Sequence, residues 1–197
     1  MNILLGMEHS NTIAGALRAK GHFVISCDLL PNDVTQEWHY QGDIYDVLYL
    51  GFDMIIMHPE CTAMSLSGNR HYAKGKPFHH KRVKALEFTE KLWRDCVGVC
   101  DKVVFEQPHS VLCSSKVLPS PQYIQPWQFG HPETKKTALF LHGVPALKET
   151  NNVYEYMMTL TPAERHKIWY ASPGVDRWKK RSKTFQGIAD AIAHQWG

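Results

Sequence analysis

Glycine-rich phosphate turns, paired-cysteine zinc spacings and long apolar runs are all missing from this 197-residue sequence. No stretch approaches the roughly 18 apolar residues of a membrane span. The opening Met1–Gly6 has neither the basic start nor the apolar run of a leader peptide, so a cytoplasmic location is expected and a secreted or membrane protein is excluded. CxxC and HExxH spacings are absent, and no metal site is expected. The five Cys form an odd set, and a chain of this size needs no disulfide staples, so reduced thiols are expected. Charge of one sign is lacking too. Lys and Arg number 22 against 19 Asp and Glu, a net +3 that carries no nucleic-acid signature by itself. Repeats and low-complexity tracts do not occur. What the sequence does have is 44% hydrophobic and 11% aromatic residues, enough to bury a core, and a length that fits one domain over residues 1–197.

Short apolar runs alternate with helical patterns. Ile3–Leu5, His22–Ser26, Phe52–Met57, Lys102–Phe105 and Thr137–Leu141 read as strands, with a weaker one around Trp38 to Gln41. Helices are expected over Thr12 to Lys20, His80 to Asp95 and Ile188 to Trp196, the second with Val83, Leu86, Leu92 and Trp93 on one apolar face. Near-continuous apolar strands alternating with helices predict an α/β fold, a mostly parallel open sheet with helices on both faces. Irregular loops are expected at about 62–80, 108–132 and 144–183.

In such sheets ligands bind outside the carboxyl ends of the strands. Five of the expected strands end there in an acid, a Cys or a His: Gly6-Met7-Glu8-His9, Cys27-Asp28, Gly42-Asp43, His58-Pro59-Glu60-Cys61 and Glu106-Gln107-Pro108. Asp28 is placed to accept from both ribose hydroxyls of a nucleotide-like cofactor, and Asp43 from an adenine amino group. Without a glycine-rich turn for a pyrophosphate, a phosphate-free cofactor fits best, and S-adenosyl-L-methionine is one. Cys61, beside His58 in a Pro-restricted turn, is a candidate nucleophile that needs a cationic or helix-terminal setting to ionise. Cys96 and Cys100 read as structural. Arg70, Lys74 and Lys76 form a basic stretch suited to phosphate, and Arg177, Trp178, Lys179 and Lys180 interleave cations with an aromatic ring, a pattern suited to phosphate contact with base stacking.

His58-Pro59-Glu60-Cys61-Thr62 resembles the Pro-x-Cys nucleophile motif of the small, phage-type cytosine-C5 DNA methyltransferases, and Glu106-Gln107-Pro108 resembles their Glu-Asn-Val or Glu-Asn-Pro motif. Ser26–Pro31 is similar to their ribose-binding strand end, Gln41-Gly42-Asp43 to the adenine side, and Arg181–Ala189 to the motif that returns to the cofactor. Gln125–Lys135 is similar to a segment of the small phage proteins. The resemblance implies a Rossmann-like methyltransferase domain with little or no target-recognition domain. It implies S-adenosyl-L-methionine held around Gly6, Glu8, His9, Asp28, Asp43, Pro59 and Phe185, and catalysis by Cys61 and Glu106. The family's Gln-x-Arg-x-Arg segment has no literal match, which leaves Lys135 or Lys136 to supply its cation. Glu60 stands where the phage proteins usually carry a second Pro, and the first motif keeps an acid but loses most of its glycines.

The implied reaction is methyl transfer to C5 of cytosine through a Cys61 adduct at C6, with Glu106 on the N3 and amino edge. A chain with so short a recognition segment implies low sequence specificity, or a single-stranded or nucleotide substrate. A phage-encoded protein of this kind would act in the cytoplasm of its host. Two alternatives stand beside this reading. One is a related C5-pyrimidine modification using a free nucleotide or a non-methyl donor, and the other a non-catalytic methyltransferase fold acting as a binding module.

Overall fold

A computed structural model of the chain describes residues 1–8, 10–32, 37–170, 174 and 181–197. Seven strands are formed: β1 (Asn2–Gly6), β2 (Phe23–Asp28), β3 (His39–Gln41), β4 (Met54–Met57), β5 (Val103–Pro108), β6 (Gln122–Ile124) and β7 (Thr137–His142). They make one sheet in the order β3-β2-β1-β4-β5-β7-β6. β1 to β5 are mutually parallel, whereas β7 runs antiparallel to both its neighbours. The helices are α1 (Thr12–Ala19), α2 (Asn69–Tyr72), α3 (His79–Val99), α4 (Tyr154–Thr159), α5 (Pro162–Arg165), α6 (Lys167–Tyr170) and α7 (Gln186–Gln195). No helix among the described residues is long and apolar enough to cross a membrane.

The period-two alternation of strand side chains sorts the apolar runs into two cores. Ile3, Leu5, Ile56, Val104 and Leu139 face Ile13 and Leu17 of α1 and Ile188 and Ile192 of α7. Leu4, Ile55, Met57, Phe105 and Phe140 point the other way, towards Leu92, Trp93 and Cys96 of α3. Both faces are therefore covered, and the expected α/β architecture is present.

Several elements differ from the sequence reading. Short helices form in two stretches expected to be irregular, α2 within 62–80 and α4, α5 and α6 within 144–183, where local turns and caps suffice to close short helical turns. The buried face of α3 is Arg82, Thr89, Leu92, Trp93 and Cys96, while Val83 is exposed. β5 runs on through Glu106 and Gln107 to Pro108, because β7 pairs with all six of its residues. The stretch 108–132 contains β6, whose three residues pair with β7 at the sheet edge. The sheet order reverses between β1 and β4, which opens a crevice at their carboxyl ends.

Candidate active site

The loop that leaves β4 carries His58 to Cys61 and is tied down on three sides. The His58 amide donates to the Gly6 carbonyl at 2.9 Å. The Gln107 side-chain amide donates to the Pro59 carbonyl. Beyond Cys61 the chain turns tightly, with the Ser65 amide 2.8 Å from the Cys61 carbonyl. Arg82, buried near the start of α3, donates to the Ala63 carbonyl at 2.7 Å, the Ser65 carbonyl at 3.1 Å and Asn69 Oδ1 at 2.8 Å. The guanidinium fork fixes residues 63–69 where a single donor would leave them free to swing.

The antiparallel strand explains how a cation reaches this place. β7 starts where β5 ends, with Thr137 opposite Pro108 and Leu139 opposite Glu106. Lys135, two residues ahead of β7, therefore arrives at the carboxyl end of a parallel strand. The preceding segment holds it there: Gln125 Oε1 accepts from the Lys135 amide at 3.0 Å, and Gln128 Oε1 accepts from the Gln125 amide at 2.7 Å. His131 Nε2 accepts the Gly187 amide at 2.9 Å, closing the N-terminus of α7. A Cβ on Gly187 would stand 2.0 Å from the Phe129 carbonyl oxygen, so only glycine allows this approach.

Cys61, Glu106 and Lys135 feel one another's charge. Burial, then the Glu106 and Glu60 carboxylates, push the Cys61 thiol up, against the pull of Lys135. Burial also pushes Glu106 up, but a 2.9 Å contact with His58 Nδ1, together with the charges of His58 and Lys135, outweighs it and holds the carboxyl below its usual range. Lys135 is lowered, chiefly by burial and also by Arg181, although Glu106 and Cys61 draw it upward. His58, Glu106 and Lys135 line one small cavity with Thr137 and Phe185. The second cation open to the sequence, Lys136, is exposed and sits over the Tyr123 ring at 4.1 Å.

The remaining candidates divide into two groups. Gly6, Glu8, Asp28, Asp43 and Pro59 follow the ends of adjacent strands around the crevice. Gly6 is tightly enclosed by Met57 and Ile44. Met7 has a left-handed φ of 59°, the kind of backbone strain concentrated at working loops. Glu8 is buried, one carboxylate oxygen accepting from Ser10 and the other, Oε2, having no hydrogen-bond partner among the described residues. Asp28 Oδ1 accepts from the Leu30 amide at 2.9 Å and Asp43 Oδ1 from the Tyr45 amide at 3.0 Å. Phe185 packs against His131 with ring centroids 5.0 Å apart. Arg70, Lys74 and Lys76 are exposed on and just after α2. His9, Arg177, Trp178, Lys179 and Lys180 lie outside the described residues. Sequence reasoning missed Arg82 as a loop clamp and His58 as the partner of Glu106. The position of His58 directly before Pro59-Glu60-Cys61 was the one signal available for the latter.

No protein-family model matches the chain, and no curated protein matches it by sequence. Solved structures do match its fold. The Entamoeba histolytica methyltransferase EhMeth superposes with a TM-score of 0.50 at 11% identity, covering 77% of this chain and 57% of its own. The S. pombe Dnmt2 methyltransferase gives 0.48 at 12% identity, with 84% and 56% covered. The bifunctional kinase-methyltransferase WbdD gives 0.45 at 12% identity, with 75% and 36% covered. The sheet order, with the EhMeth superposition, gives the chain a Rossmann-like α/β fold, and the chain spans little more than half the length of the first two of these proteins.

Proposed function

We propose that this chain transfers a methyl group from S-adenosyl-L-methionine to C5 of cytosine in DNA, as one catalytic domain over residues 1–197. The observation that supports the reading is the cavity that His58, Glu106 and Lys135 line together, with His58, on the same β4 loop that carries Cys61, 2.9 Å from Glu106. The crevice residues fit the cofactor. Glu8 Oε2 is a buried acceptor with no partner among the described residues, suited to an ammonium group, and Asp28 and Asp43 are carboxylates suited to ribose hydroxyls and an adenine amine. When bound, the cofactor supplies an electrophilic methyl group.

Cys61 adds as thiolate to C6 of the ring, which makes C5 nucleophilic. C5 then bonds the methyl carbon as that carbon's bond to the donor sulfur breaks. Loss of the C5 proton to water re-forms the C5–C6 double bond and expels the thiolate. Ionised Glu106 accepts from the exocyclic amine, and Lys135 offsets the negative charge gathered at the Cys and Glu side chains. Arg70, Lys74 and Lys76, with Arg177, Trp178, Lys179 and Lys180, bind the nucleic acid, and Phe185 and His9 complete the cofactor site. DNA carrying 5-fluorocytosine, whose fluorine blocks the final elimination, tests the assignment. With cofactor present, peptide mapping should find the base covalently held on Cys61. A folded protein that binds the cofactor yet labels neither single- nor double-stranded DNA would overturn it.

A further inference from the structure

Two adjacent residues of the site hold both ends of one segment. The Thr134 amide donates to the Arg165 carbonyl at 2.8 Å, and its hydroxyl lies 2.6 Å from His166 Nδ1. Lys135 Nζ donates to the carbonyls of Ser182 and Lys183 at 3.4 and 3.1 Å. The segment 165–183 therefore leaves from and returns to the dipeptide that delivers the cation to Cys61. Its sequence has seven Lys and Arg (165, 167, 177, 179, 180, 181, 183) against one acid, Asp176. At its start, Trp169 is 63% exposed and Tyr170 60%, and Tyr156 on neighbouring α4 is 60% exposed. Arg165 Nη1 donates to the Met158 sulfur at 3.4 Å, and its buried Nε has no hydrogen-bond partner among the described residues.

We propose that the face formed by Tyr156, Arg165, Lys167, Trp169 and Tyr170 holds single-stranded DNA next to the reactive cysteine. The rings stack on bases flanking the target, and the two cations meet their phosphates. The inference rests on the DNA reading of the site and adds the form of the substrate. Cation excess selects a polyanion, whereas an interface between two copies would bring like charges together. Exposed rings select unstacked bases, because a duplex offers only base edges and backbone.

Fluorescence anisotropy of the full chain with labelled oligodeoxythymidine tests this without any methyl transfer, since the probe has no cytosine. Trp169→Ala/Tyr170→Ala should weaken binding about ten-fold or more. Arg165→Gln/Lys167→Gln should make the salt dependence shallower by about 1.4 in log–log slope, for two phosphate contacts on a single strand. A hairpin duplex should bind more weakly and respond to neither change. Circular dichroism confirms that both variants are folded. Parent-like binding by both variants, equal affinity for the duplex, or no binding at all would overturn the proposal. So would a parent dimer, seen by sedimentation, that Trp169→Ala/Tyr170→Ala dissolves. Oligothymidine binding lost in the variants while the parent never methylates cytosine would refute the catalytic reading alone. Methylation by a parent whose variants bind unchanged would refute this face alone.

Discussion

His58 Nδ1 and Glu106 Oε2 stand 2.9 Å apart across the ends of β4 and β5, and this contact helps keep a buried carboxyl ionised. Replacing the ring by an amide, in His58→Gln, leaves burial opposed mainly by Lys135, so the Glu106 carboxyl rises. The acid limb of the pH–rate profile should move to higher pH, and kcat/KM at neutral pH should fall. Glu106→Gln should cost ~10²–10³ in rate, the scale for losing one electrostatic stabiliser. The lowered Glu106 also contributes stability that is present above the ordinary carboxylate range and is lost as pH falls through its folded value. Acid unfolding of His58→Gln should therefore begin at higher pH than in the parent.

Cys61 is held between opposing charges, and removing each should move its ionisation in a different direction. Glu106→Gln removes a carboxylate that raises the thiol, so the pH midpoint for iodoacetamide labelling should fall. Lys135→Met removes the cation that lowers it, so the midpoint should rise. Mass spectrometry of the Cys61 peptide reads both. Equal midpoints in the two variants would separate Lys135 from the site.

Arg82 donates to two carbonyls and an amide oxygen from a buried position. Arg82→Met keeps the stem's packing but leaves those acceptors unmet, at about 3 kcal/mol. For a domain of this size the melting temperature should fall by roughly 6–12 °C. Limited proteolysis should cut first within 62–69. An unchanged melt would show that water replaces the fork at no cost.

Cys27 and Cys96, each buried and pushed up to about 12 from an ordinary value of 9.0, give the protein an alkaline limit. The unfolded thiols ionise first, so the folded state's advantage is complete below pH 9 and shrinks as pH rises towards 12. Denaturant midpoints should decline over that window. Cys96→Ala should flatten the decline while lowering stability at pH 7, by the loss of a packed sulfur beside Trp93 and Leu92.

The crevice was legible because parallel strands announce themselves as unbroken apolar runs, and the residue after each run is fixed at one end of the sheet. Asp28, Asp43, Cys61 and Glu106 were placed at or just beyond strand ends that way. Strand direction leaves no such mark: Thr137–Leu141 reads the same run forward or reversed, yet only its reversal brings Lys135 to Glu106. β6 was invisible because three paired residues make too short an alternation to detect. Arg82 was hidden for the opposite reason. A charge among Lys and His reads as solvated, and only the turn of the Cys61 loop supplies the carbonyls that draw it inward. The Gln125–Lys135 segment was noticed for its resemblance to a segment of the small phage proteins, and its hydrogen bonds give that pattern a structural cause.

Thr134 and Lys135 anchor both ends of the 165–183 segment, so the entropy of closing it depends only weakly on the length of chain between them. Doubling a loop whose ends are already fixed adds only about 0.6 kcal/mol of closure entropy. Extra chain spliced between the anchors would leave the sheet, the cysteine turn and α7 undisturbed. The segment is thus a port at which a further module could be inserted without rebuilding the crevice beneath it.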